Sequence, residues 1–318
     1  MNTALLTGVG AGLASALLYL SMTTGQPLAV VLFYVAPLPL FIAGLGWGIA
    51  TAIVAAVVGA IATYALSYGF LALTYAVSCA VPCALLVRTA LLSRPLDDAN
   101  PDGPREWYPA GRLLLWTAAA GAAVTAAAIM AMGGDRDGFD GIIDMVIRHG
   151  LFGPAGIEVP QAVNVDTMVT VLKMFLAPVS AGLWTFFAVA NLWIAGRVLQ
   201  ASGRAPRPMP DLPGMQFPKS ASLAFIAAAA ISAAGGTIGL YAQAALGGLV
   251  VAFALLGLAV VHGYTRAMAL RGPILVGVYL VTIVFPWSLG ILALIGLADT
   301  WLDLRANRPP TAGNDNSG

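Results

Sequence analysis

The sequence predicts an all-α fold, a polytopic transmembrane helical bundle, and three observations predict it. Only 9% of the 318 residues are charged and 59% are hydrophobic, whereas soluble domains carry roughly 25% charged residues. No Asp, Glu, Lys or Arg precedes Arg88, and a charge placed in hydrocarbon costs several kcal/mol, so lipid rather than water is the solvent this stretch fits. The apolar runs are continuous and about 20 residues long, enough to cross a bilayer as helices. Barrel strands would instead alternate apolar and polar residues.

In chain order, the first span is predicted over about 4–23 and ends at Thr24-Gly25-Gln26-Pro27. The second covers about 28–45 and runs into Gly44-Leu45-Gly46-Trp47-Gly48. The third and fourth cover about 49–67 and 70–92. A polar loop, 94–112, carries Arg94, Arg105 and Arg112, and an alanine-rich fifth span follows over about 113–132. The segment 133–166 is acidic, with Asp135, Asp137, Asp140, Asp144, Glu158 and Asp166 against Arg136 and Arg148. Phe139, Ile142, Ile143, Val146 and Ile147 recur there at helical spacing, which predicts a short amphipathic helix at the membrane surface. The sixth span is about 168–196, and the loop 197–219 is basic and proline-rich. Two spans, about 220–240 and 242–263, precede Arg266 and Arg271. The last apolar segment, about 273–298, is interrupted by Pro286. This makes about nine apolar segments, with eight as the alternative, in one membrane domain over 1–305. The polar tail 306–318 is expected to be disordered.

Lys and Arg in short loops mark the cytoplasmic side. That places loops 94–112 and 197–219 in the cytoplasm, the acidic segment outside and the N-terminus inside, in a bacterial inner membrane. Arg266 and Arg271 want the cytoplasm, and so do Arg305 and Arg308. Either the 273–298 segment bends at Pro286 into a re-entrant hairpin, or one short loop breaks the charge rule. The first apolar run has no basic residue before it, which argues for a retained span rather than a signal peptide.

Net charge is +1, so nothing points to nucleic acid. Cys79 and Cys83 lie four apart on one predicted helix and read as small buried residues rather than a disulfide framework. Asp135-Arg136-Asp137-Gly138 lacks the later ligands of a calcium loop, so no metal is expected. The chain has no GxxxxGKS/T, HExxH or GxSxG pattern. No nucleophile pairs with a base, so no catalytic residue, enzyme activity or cofactor is predicted.

Candidate functional positions come from packing and buried polarity. Gly8, Gly12 and Ala16 form a small-residue face that admits another helix, either within the chain or from a partner subunit. Tyr34-Val35-Ala36-Pro37-Leu38-Pro39 breaks a helix inside the apolar run, and the freed carbonyls must find partners in neighbouring protein or water. Lys173, Asn191, Gln243 and His262 are the main polar residues inside predicted spans. Lys173 sits near the outer end, within snorkelling reach of the interface. Asn191 lies deeper, as interhelical glue or a ligand contact. His262 stands at a span end beside Tyr264.

Three stretches resemble the YybS-like family of uncharacterised polytopic membrane proteins: Pro37 to Gly48, Pro178 with Asn191-Leu192-Trp193-Ile194-Ala195-Gly196-Arg197, and Gly296 to Arg305. The early spans are loosely similar to the substrate-capture (S) components of energy-coupling-factor transporters. There a proline-bearing helix enters a glycine turn and the first helix offers small residues to a membrane coupling subunit. The resemblance implies that Gly8, Gly12 and Ala16 meet a partner and that a small-molecule site lies among the helices. The functional expectation is a transport-related subunit that binds an unknown small molecule and relies on other membrane subunits for energy. Tyr34, Asn191 and Trp287 are the expected wall contacts, with Lys173 an anion partner near the outer mouth. The alternative is a non-catalytic membrane scaffold.

Overall fold

The computed structural model describes residues 3–97, 103–151, 164–210 and 214–305. The predicted tail 306–318, Glu158 and Arg308 lie outside them. Among the described residues seven helical segments are long and apolar enough to cross a membrane, with three shorter apolar helices beside them. The chain is therefore an integral, multi-pass membrane protein by the length and composition of its helices.

Helix α1 (Thr3–Leu20) ends in a 3-10 turn over Ser21–Thr24. The second passage is α2 (Pro27–Val35) and α3 (Pro37–Trp47), each opened by a proline. A proline suits the first turn of a helix, where its missing N–H has no intrahelical acceptor. Helix α4 (Ile49–Leu66) leads to a fourth passage made of α5 (Gly69–Tyr75), a π-helical turn (Ala76–Ala80) and α6 (Val81–Ala90). A short antiparallel pair, β1 (Ser93–Pro95) and β2 (Arg105–Trp107), closes the first polar loop. Helix α7 (Ala110–Ala131) is followed by α8 (Arg136–Met145), then by the 37-residue α9 (Val165–Ala201). The remaining helices are α10 (Lys219–Ala233), α11 (Gly236–Tyr264), α12 (Arg271–Val284) and α13 (Ser288–Leu302).

One boundary differs from expectation. The break between the seventh and eighth passages falls at Gly235 and Gly236, not near residue 241. Both glycines have positive φ, 71° and 63°, a region that only glycine enters without steric cost. Helix α8 is amphipathic as predicted, with Asp135 capping its start by accepting from Gly138 N at 2.7 Å. Its apolar residues Phe139 and Ile143 pack on Ile129, Ala177 and Leu240, so this face seals the ends of α7, α9 and α11.

The small-residue face of α1 lies against α4. Gly8, Gly12 and Ala16 are buried, and a methyl on Gly12 would overlap the Ala55 carbonyl. Helix α9 stands between two cores. One gathers Leu40, Phe41, Tyr75 and Val87 with Ala195. The other gathers Leu114, Phe217, Phe253 and Leu256. At 1.5 Å per residue α9 is about 55 Å long, more than the roughly 30 Å of hydrocarbon.

The basic segments share one end of the bundle. Arg207 donates to Ala90 O and Tyr108 O at 3.0 and 2.8 Å. Arg204 lies over Trp47, and Arg305 donates to Met215 O at 2.6 Å. The acidic segment sits at the other end, where Arg136 N donates to Thr237 Oγ1 and Tyr241 Oη to Gly134 O. Helices α12 and α13 form a hairpin that enters and leaves at the basic end. Helix α13 runs parallel to α11, because Gly257 packs against Leu292 and Gly296 while Tyr264 Oη donates to Leu304 O. Pro286 therefore turns the chain back rather than kinking a span.

Candidate functional site

Two of the expected wall residues meet, through the backbone. The amide of Asn191, which is buried, donates to Tyr34 O and Phe187 O, both at 2.8 Å. The Tyr34 ring stacks on Phe187 at 4.1 Å between centroids. Pro37 and Pro39 leave the α2–α3 junction without two N–H donors; Phe33 O accepts from Ala36 N at 3.2 Å, and two further carbonyls of the break accept from side chains. Asn191 serves Tyr34 O, and Ser15 Oγ donates to Ala36 O at 2.7 Å. The same device recurs at Pro82, which has no N–H for the Ser78 carbonyl one turn back. Trp184 Nε1 on α9 donates to Ser78 O at 2.9 Å. Trp184 and Asn191 stand two turns apart on α9, so one helix face repairs both broken helices of the N-terminal half.

Lys173 and Trp287 lie elsewhere. Lys173 Nζ donates to Asp144 Oδ1 at 2.8 Å, and Arg148 joins the group through Asp144 at 2.8 Å and Asp166 at 2.6 Å. Hydrogen bonds from Lys173 and then Arg148 hold the Asp144 carboxyl below its ordinary range. Trp287 is at the tip of the α12–α13 hairpin and is exposed. Gln243 Oε1 and Ser288 Oγ are buried with no hydrogen-bond partner among the described residues.

A cleft of about 730 Å³ opens at the basic end, between α7, α9, α11 and α12. Its size falls in the roughly 300–1,000 Å³ range of ligand pockets. Leu113, Leu114 and Thr117 of α7 form one wall, Val189, Ala190 and Trp193 of α9 a second, and Leu255, Leu258 and Ala259 of α11 a third. The loop 205–210 and Met215 complete the lining. Tyr279 of α12 reaches across to His262 at 2.9 Å. Among the described residues its charged lining is all cationic: Arg207, Arg266 and Arg271, with no Asp or Glu. Burial pushes the Arg207 guanidinium down from its ordinary value, although Ala90 O at the end of α6 and Tyr108 O accept from it.

Tyr34, Asn191, Lys173 and Trp287 are not among the residues lining this cleft. The sequence marks Arg207, Arg266 and Arg271 as topological signals only. Arg266 and Arg271 flank the one short turn between α11 and α12, whereas Arg207 lies in a separate loop before α10, and only the return of α11 brings it beside them. Among the described residues no group of three or more His, Cys, Asp or Glu is placed to hold a metal ion.

Neither a family model, nor a curated protein, nor a solved structure matches the chain, so any function has to be argued from this geometry.

Proposed function

We propose that this protein is a transport-related membrane subunit that binds a small molecule in the cleft at the basic end of its bundle. The observation that carries this reading is the cleft itself: an apolar chamber of about 730 Å³ whose polar groups gather at one mouth. Apolar walls with a few convergent polar groups are the usual form of a small-molecule site. Its position also suits delivery between membrane and cytoplasm. With Lys and Arg on the cytoplasmic side, the protein sits in a bacterial inner membrane with the N-terminus, the basic loops and Arg305 inside. The cleft then faces the cytoplasm. The chain is read as a relative of the YybS-like family, without enzyme activity, and energy for transport comes from other subunits. Such a partner would have to dock on a face of α1 other than Gly8, Gly12 and Ala16, which α4 covers. The burial of that face also weighs against the scaffold alternative.

The test is ligand retention. Full-length protein purified in mild detergent is denatured, extracted and analysed by mass spectrometry, in parallel with Ala190→Phe, which fills the cleft from α9. A copurified small molecule in the wild type that is lost in the variant supports the reading. A wild type that carries nothing, and gains no thermal stability from a panel of vitamins, metabolites and lipids, overturns it.

A further inference from the structure

The cleft has two properties that restrict its occupant. The first is its field. Arg207 projects from the loop, Arg266 from the turn after α11, and Arg271 from the first turn of α12. Arg266 and Arg271 form no ion pair among the described residues. Like charges gathered over a low-dielectric chamber repel one another, and a cation in the first turn of a helix is disfavoured by the helix dipole. An anion relieves both costs, and guanidinium groups fit a phosphate through paired N–H donors.

The second property is access. Helix α12 buries none of its own residues. It packs closely on the preceding turn and on α13, and does not pack closely on α9. Phe186 and Trp193 of α9 and Tyr279 of α12 line the cleft and are about half exposed. The chamber is therefore open sideways, between two apolar helices, at the depth where the hydrocarbon lies.

We propose that the cleft holds an acidic phospholipid, one whose head carries a net negative charge, with an acyl chain entering between α9 and α12 and the anionic head against Arg207, Arg266 and Arg271. This rests on the small-molecule reading above and names its ligand class. A free soluble anion has no use for the apolar chamber or the lateral slot. A neutral hydrophobe has no use for three arginines. A lipid of the inner leaflet uses both, and acidic lipids concentrate at basic surfaces.

The test uses the full chain, stripped of lipid by detergent exchange, with native mass spectrometry and thermal unfolding as readouts. The probes are phosphatidylglycerol, phosphatidylcholine and soluble glycerol phosphate. The wild type is expected to retain phosphatidylglycerol over phosphatidylcholine and to ignore glycerol phosphate. Arg266→Gln with Arg271→Gln should lower that preference about twenty-five-fold, at roughly fivefold per charge removed. Ala190→Phe should bind neither lipid; if it does not fold, Leu258→Trp fills the cleft from the opposite wall. Equal retention of both lipids, unchanged by the arginine variants, overturns the headgroup assignment and leaves the cleft reading standing. Stabilisation by glycerol phosphate equal to that by the lipid overturns the lipid and keeps the anion. Retention of lipid by both cleft-filling variants, or of nothing by the wild type, overturns the site altogether.

Discussion

Asn191 separates two roles that a buried amide in a membrane can have. Its two hydrogen bonds go to backbone carbonyls, one of them at a helix break, so its removal should be felt as lost stability. Asn191→Ala is expected to lower unfolding stability by about 1 kcal/mol, the scale of interhelical hydrogen bonds in membranes, measured by thermal unfolding in detergent. Trp184→Phe should act alike, because it removes the donor to Ser78 O. Lost ligand retention with unchanged stability in Asn191→Ala would contradict this assignment. Asp144 gives a second prediction at this scale, one of pH. Its carboxyl lies below the ordinary value of 3.8, chiefly through the hydrogen bond from Lys173 and then that from Arg148. A depressed carboxyl contributes stability that is present above its unfolded pKa and is lost as pH falls through the folded one. The Tm difference between wild type and Asp144→Asn should therefore be full above about pH 5 and shrink as the pH drops below 3.8.

At the scale of elements, the α12–α13 hairpin depends on two contacts. Gly257 and Gly296 let α11 and α13 approach until the carbonyls of Leu292 and Phe253 fill the space of a side chain. At the base, Asp299 pairs with Arg305 at 2.6 Å, with side chains 2% and 10% exposed. Breaking such a buried pair strands a charge, at a cost of about 3 kcal/mol. In a Cys79→Ala, Cys83→Ala background, a cysteine at Trp287 should resist impermeant thiol reagents from either side, because the tip comes level with the middle of α11. Adding Gly296→Leu or Asp299→Asn should loosen the hairpin and expose that cysteine. Rapid labelling of the tip in the unmodified background would show that the segment spans instead.

For the whole molecule, the decisive feature is that one end collects the basic segments. The hairpin resolves the charge conflict at the C-terminal end by returning the chain to the side it left. Fluorescent reporters that mature only in the cytoplasm should light up when inserted after Gly203 and when fused beyond Arg305. A cysteine at Asp137 should label only from outside. A dark reporter beyond Arg305 alongside a bright one after Gly203 would require the α12–α13 segment to cross.

The sequence by itself determined the solvent, the helical class and most helix boundaries. The reason is that uncharged runs of this length leave no backbone solution except internally hydrogen-bonded helices. It also marked the helix-breaking prolines, the amphipathic α8 and the basic loops, all of which are local signals. Only the tertiary structure decided that Pro286 turns a hairpin and that α4 occupies the face of Gly8, Gly12 and Ala16. It alone showed that Asn191 serves a carbonyl and that Arg207, Arg266 and Arg271 converge on one cleft. Each of these depends on which surfaces meet after folding, and residues on separate helices carry no local pattern that records the meeting.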